Sequence, residues 1–111
     1  MLELIWSDRF EREVQAIYEW LERNEGRGDV FYKQLLVDLE QLSTFPWSGS
    51  RIEGGNARHL LVVGGRYAAI HMIEHRGIIL HSLFDQRRDP QILDQFLREI
   101  TGGLPGPPPI P

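Results

Sequence analysis

The sequence predicts an α+β domain, and three observations carry that prediction. Phe10, Val14, Ile17, Tyr18 and Leu21 recur at helical spacing, and Phe31, Leu35, Leu39 and Leu42 repeat the pattern after a short break. From residue 58 the pattern changes to short apolar runs separated by glycine-bearing turns. A brief apolar run, Leu2 to Trp6, precedes everything else. The expected order is strand, two helices, three strands and a final helix, with helices packed on one face of a small antiparallel sheet.

Each element has a local reason. Leu2 to Trp6 reads as a strand. Ser7 stands in N-cap position, with Asp8 and Glu11 in the first helical turn, where carboxylates favour the positive end of the helix. The first helix is expected over about 8–23, and Asn24-Glu25-Gly26-Arg27-Gly28 breaks it. Asp29 reads as the cap of a second helix. A link this short makes the two helices an antiparallel hairpin. Phe45-Pro46 stops the second helix, because the residue before proline disfavours helical backbone. Residues 47–56 have loop composition.

Arg58–Val63, Arg66–Glu74 and Ile78–Phe84 read as strands, joined by Gly64-Gly65 and by His75-Arg76-Gly77. Turns this short make an antiparallel three-strand meander. A last helix is expected from Pro90, with Ile92, Leu93, Phe96, Leu97 and Ile100 on one face and Gly102-Gly103 at its end. The domain is thus expected over 1–101. A Pro/Gly-rich tail over 102–111 is expected to be extended or disordered.

Composition narrows the function classes. A chain of 111 residues with 41% hydrophobic and 25% charged content suits one soluble domain with a modest core. No apolar run approaches the roughly 20 residues of a membrane span. Nothing at the N-terminus resembles a secretory signal. The absence of cysteine removes disulfides and thiolate metal sites, and fits a cytoplasmic location. Net charge is −4, with ten acids against five bases in residues 1–50 and six against seven in 51–111. The second half is the better face for an anionic partner. The balance argues against tight direct nucleic-acid binding, which calls for a basic surplus.

The densest chemistry lies in Asp85-Gln86-Arg87-Arg88-Asp89-Pro90, directly after an apolar strand. Arginines fixed at a strand end suit bidentate contact with carboxylates or phosphates. The plainer reading is that Asp89 caps the next helix and the arginines are solvated. His71 and His81 fall inside strands, where a structural histidine is commoner than a catalytic one. No helical His-x-x-x-His pair exists, so neither a metal site nor a cofactor is expected. Trp20 and Trp47 read as packing residues flanking the helical hairpin. Glu19, Glu22, Glu25, Asp38 and Glu40 read as a solvated face.

Several motifs, in order, resemble the RelE/ParE superfamily of toxins from type II toxin–antitoxin modules. They are Ile5-Trp6-Ser7, the helix with Phe10, Ile17 and Tyr18, Phe45-Pro46 with Gly49, Arg58-x-Leu60-x-Val62, Gly65-Arg66-Tyr67 and Arg87-Arg88-Asp89-Pro90. The match spans about residues 2–100. The resemblance implies a toxin silenced by a cognate antitoxin that wraps it. RelE-like members cut messenger RNA on the ribosome. ParE-like members poison DNA gyrase and lack the nuclease residues.

Departures favour the ParE-like branch. Where RelE-like members carry Tyr-Arg in the middle strand, this chain has Tyr67-Ala68, and His71 stands where an aromatic hydroxyl is common. Cleavage by 2′-hydroxyl attack needs a base, an acid and a cation on the phosphate. The residues available for the ribonuclease alternative are Arg58, Arg66, His71, His81 and Arg87, and His59 is a further base or acid. For partner binding, the resemblance and the charge pattern point to Arg58, Arg66, Arg87 and Arg88. A non-toxic interaction module with the same fold is the third reading.

Overall fold

The computed structural model describes residues 2–52 and 55–87. Arg88, the helix expected from Pro90 and the tail over 102–111 lie outside the described residues. The elements are β1 (Leu4–Trp6), α1 (Asp8–Glu25), α2 (Gly28–Thr44), β2 (Ser50–Arg51), β3 (Ala57–Val62), β4 (Tyr67–Glu74) and β5 (Gly77–Asp85). The expected strand, helical hairpin and meander are all present.

α1 begins where Ser7 predicts. The Phe10 N–H donates to Ser7 Oγ at 3.0 Å, and Asp8 and Glu11 occupy the first turn. It ends two residues later than expected, on Gly26 in left-handed conformation (φ 65°). There the Gly26 and Arg27 N–H groups bond back to the Glu22 and Leu21 carbonyls. α2 corrects the expected cap. Arg27 holds the cap position without a side-chain bond, and Asp29 sits in the first turn. α1 supplies the missing acceptor: Glu22 Oε1 takes the Gly28 N–H at 2.8 Å and the Asp29 N–H at 3.3 Å. Asp29 instead accepts the Tyr18 hydroxyl at 2.9 Å. Glu22 is therefore a cap for the second helix, not part of an idle solvated face.

The sheet has five strands in the order β1-β5-β4-β3-β2. It is mixed, because β1 pairs parallel with β5 (Leu4↔Ile78, Trp6↔Leu80) while all other pairs are antiparallel. β2 is an addition to the expected elements: Ser50 and Arg51 pair with His59 and Arg58 inside a stretch read as loop. Gly49 (φ 90°) permits this, since a side chain there would meet the His59 carbonyl. The β4–β5 register shifts between Ile70 and His71, leaving His81 as an extra residue in β5.

The helices cover one face of the sheet. Phe10, Val14, Leu21, Phe31, Leu35, Leu39 and Leu42 pack with Val62, Tyr67, Ala69, Ile78, Leu80 and Leu83. Aromatic edges lock this layer, Trp6 on Phe10 at 4.9 Å and Phe31 on Tyr67 at 5.2 Å. A smaller cluster of Ile52, Ala57 and Ile70, with Met72 and Phe84, lies on the opposite face.

The β3–β4 turn is strained. Val63 adopts φ 53°, followed by Gly64 at 66° and Gly65 at 82°. A β-branched residue is disfavoured there. The Val63 N–H donates to Asp38 Oδ2 at 2.7 Å, tying the turn to α2. Asp38, expected on a solvated face, is a tether.

Candidate partner-binding surface

The structure distributes the candidate residues over three places. Arg66 and Arg87 lie at one end of the β4–β5 hairpin. Asp85 organises them, pairing with Arg66 at 3.8 Å and accepting the Arg87 backbone N–H at 2.9 Å. The Arg66 guanidinium lies over the Tyr67 ring at 5.3 Å. Burial pushes the Tyr67 hydroxyl above its ordinary range, so it stays protonated. Here α1 and β5 diverge into a groove of about 810 Å³. Ile17, Trp20 and Leu83 form its apolar wall, and Glu13, Arg23, Arg66 and Asp85 supply charge. Trp20, expected as packing, is half exposed beside it.

Arg58 occupies the second place, five residues along the sheet from Arg66 by register, since it pairs with His71, and so roughly 17 Å away. Its register partners are Arg51 on β2 and His71 on β4. Its guanidinium lies 5.7 Å from the Trp47 ring centre and Nη2 donates to the Gly49 carbonyl at 3.3 Å. Trp47, also expected as packing, is 68% exposed. His71 is wholly buried, with Nδ1 3.2 Å from the Ala69 carbonyl. Burial lowers its pKa most, and Arg58 lowers it further, against the opposing Ala69 and Ser48 carbonyls.

His81 is the third place. It is the extra residue of the bulge, beside α1. Its carbonyl accepts the Ser7 hydroxyl at 2.9 Å, and its Nδ1 lies 3.1 Å from Ser82 Oγ. Burial and then Arg9 lower its pKa. The charged neighbour of His71 is thus Arg58, and that of His81 is Arg9. The two histidines do not share one site with Arg66 and Arg87. His59 is half-buried on the opposite sheet face and is also shifted down by burial.

Sequence reasoning missed Arg51 because the loop composition around it hid β2. It misassigned Trp47 because an exposed tryptophan and a packed one look alike in a sequence. Glu13 was also missed: its Oε1 accepts the Leu83 N–H at 3.2 Å where β1 no longer covers β5, and Arg9 lies 3.5 Å away. Among the described residues no cluster of histidine and carboxylate groups could hold a metal ion, and no helix is long and apolar enough to cross a membrane.

No family model matches this sequence, and no curated protein does. Among solved structures, the chain is similar to one described as the chromosomal ParDE TA system from P. aeruginosa. The TM-score is 0.68 at 16% identity, covering 77% of this chain and 96% of that one. The likeness therefore runs through nearly the whole of that chain, with which this chain shares its α+β fold, a helical hairpin on a five-strand mixed sheet.

Proposed function

We infer that this protein is the toxin of a type II toxin–antitoxin pair, acting by binding and neutralised by a cognate antitoxin. The observation that carries this reading is the fold, shared with a ParDE chain over 96% of that chain's length. DNA gyrase is the target that the ParE-like branch implies, and the cytoplasm is where it would be met. The arrangement of residues supports inhibition over RNA cleavage. His71 has no exposed surface, and Arg58, Arg66 and His81 stand apart instead of converging on one phosphate. The antitoxin surface is the groove between α1 and β5, where an amphipathic segment lays apolar side chains against Ile17 and Trp20 and carboxylates against Arg66 and Arg87.

The test is expression of the chain with and without the gene that neighbours its own. Growth arrest relieved by co-expression is expected, with purified protein blocking gyrase supercoiling and leaving ribosome-bound messenger RNA intact. Codon-specific cuts abolished by His81→Ala would replace this reading with the ribonuclease one. Growth unaffected by the protein alone would favour the non-toxic module.

A further inference from the structure

The corner where α2 runs into β2 carries a second recognition surface. Ser48 N–H bonds to the Phe45 carbonyl at 3.0 Å, closing the turn Phe45-Pro46-Trp47-Ser48. That turn presents two aromatic rings to solvent, Phe45 at 63% and Trp47 at 68% exposure. Arg58 flanks Trp47, and Arg51 stands directly opposite Arg58 across the β2–β3 ladder. Like charges in opposed positions repel. Among the described residues no carboxylate forms an ion pair with either arginine. Arg58 Nε is moreover buried without a hydrogen-bond partner.

We propose that Phe45, Trp47, Arg51 and Arg58 form a clamp for an acidic, apolar-flanked peptide segment of a partner protein. Two guanidinium groups that repel one another are relieved by a carboxylate placed between them, through charge-assisted bonds. Exposed tryptophan and arginine together are the side chains that most often dominate a protein interface. Charge complementarity selects a peptide over a nucleic-acid strand. A strand brings a phosphate with every nucleotide and needs a basic track. This corner offers two cations, Arg51 and Arg58, and not a basic track. A short acidic segment needs no more than the two. The clamp is separate from the α1–β5 groove and stands independently of the toxin reading.

The experiment uses the full chain and three fluorescent probes: a short peptide of alternating glutamate and leucine, its glutamine counterpart, and a uridine oligonucleotide of matching length. The acidic peptide is expected to bind about tenfold more tightly than the glutamine peptide, and Arg51→Glu or Trp47→Ala to weaken it about tenfold each. Arg76→Glu, in the exposed β4–β5 turn outside both surfaces, should leave its affinity unchanged. Arg51 is exposed, so Arg51→Gln serves as the variant that keeps the fold, checked by its unfolding midpoint. Equal binding of the two peptides, or no effect of either Arg51 variant, overturns the clamp. Tighter binding of the oligonucleotide overturns it in favour of a nucleic-acid surface. None of these results bears on growth arrest, so the clamp and the toxin reading fail separately.

Discussion

The seam between α1 and β5 and the corner between α2 and β2 are built on opposite terms. At the seam, β1 covers only three residues of β5, yet the backbone beyond it is met by α1. The Ser7 N–H bonds to the Leu80 carbonyl at 3.0 Å, Ser7 Oγ to the His81 carbonyl at 2.9 Å, and the Leu83 N–H to Glu13 at 3.2 Å. The bulge at His81 turns its carbonyl to the residue that also caps α1. At the corner, by contrast, Arg58 Nε is buried without a partner, two arginines face one another, and two aromatic rings are exposed. Satisfied groups stabilise the native state, while unsatisfied buried groups carry a desolvation cost and are rare enough to call for an explanation. Satisfied backbone is concentrated along the seam, beside the groove proposed for the antitoxin, and unmet polar and exposed aromatic groups at the corner.

Breaking the seam should have the larger effects. Phe10 is fully buried against Trp6, so Phe10→Ala should cost about 3–5 kcal/mol in urea unfolding. That is a large share of the roughly 5–15 kcal/mol available to a small domain. Ser7→Ala removes the helix cap and leaves the His81 carbonyl without its donor. A loss of about 1–2 kcal/mol is expected, and a loss below measurement would mean that water replaces both bonds. Asp38→Ala frees the strained Val63 turn and should cost about 1–2 kcal/mol, with faster hydrogen exchange at the turn amides.

The pH response sharpens the contrast between two groups, His71 at the corner and Glu13 at the seam, which affect stability with opposite sign, while His81 at the seam shifts as His71 does. His71, at the corner, has a folded pKa below its ordinary 6.5. The unfolded chain therefore binds the proton first, and stability present above pH 6.5 is lost as pH falls through that value. His71→Asn should reduce this loss when unfolding is compared at pH 7 and pH 5. Glu13, at the seam, is raised above its ordinary 4.5, by burial against the lesser opposing pulls of Leu83 N–H and Arg9. Its contribution is present below 4.5 and declines as pH rises through the folded pKa, so Glu13→Gln should flatten the curve on the acid side. Arg66→Ala removes a loose, partly exposed ion pair and is expected to change stability by no more than about 0.5 kcal/mol.

Much of the fold was legible because it depends on local chemistry. The period of Phe10, Val14, Ile17 and Leu21, the cap at Ser7 and the stop at Phe45-Pro46 are written in neighbouring residues, and α1, α2 and the meander follow from them. The candidate site was less legible. Arg58, Arg66 and Arg87 were singled out by type, but their separation into a groove and a corner is a matter of register.

The sequence by itself determined the helical hairpin, the three-strand meander and the charge asymmetry, since each rests on spacing or composition. Tertiary structure alone decided the parallel pairing of β1 with β5, the short β2 strand and the bulge at His81. It also decided that Glu22 caps a helix not its own and that Asp38 holds Val63. The physical reason is the same in each case. A backbone N–H or carbonyl left open by one element is met by a group distant in the chain, and a sequence carries no local mark of which distant group that is.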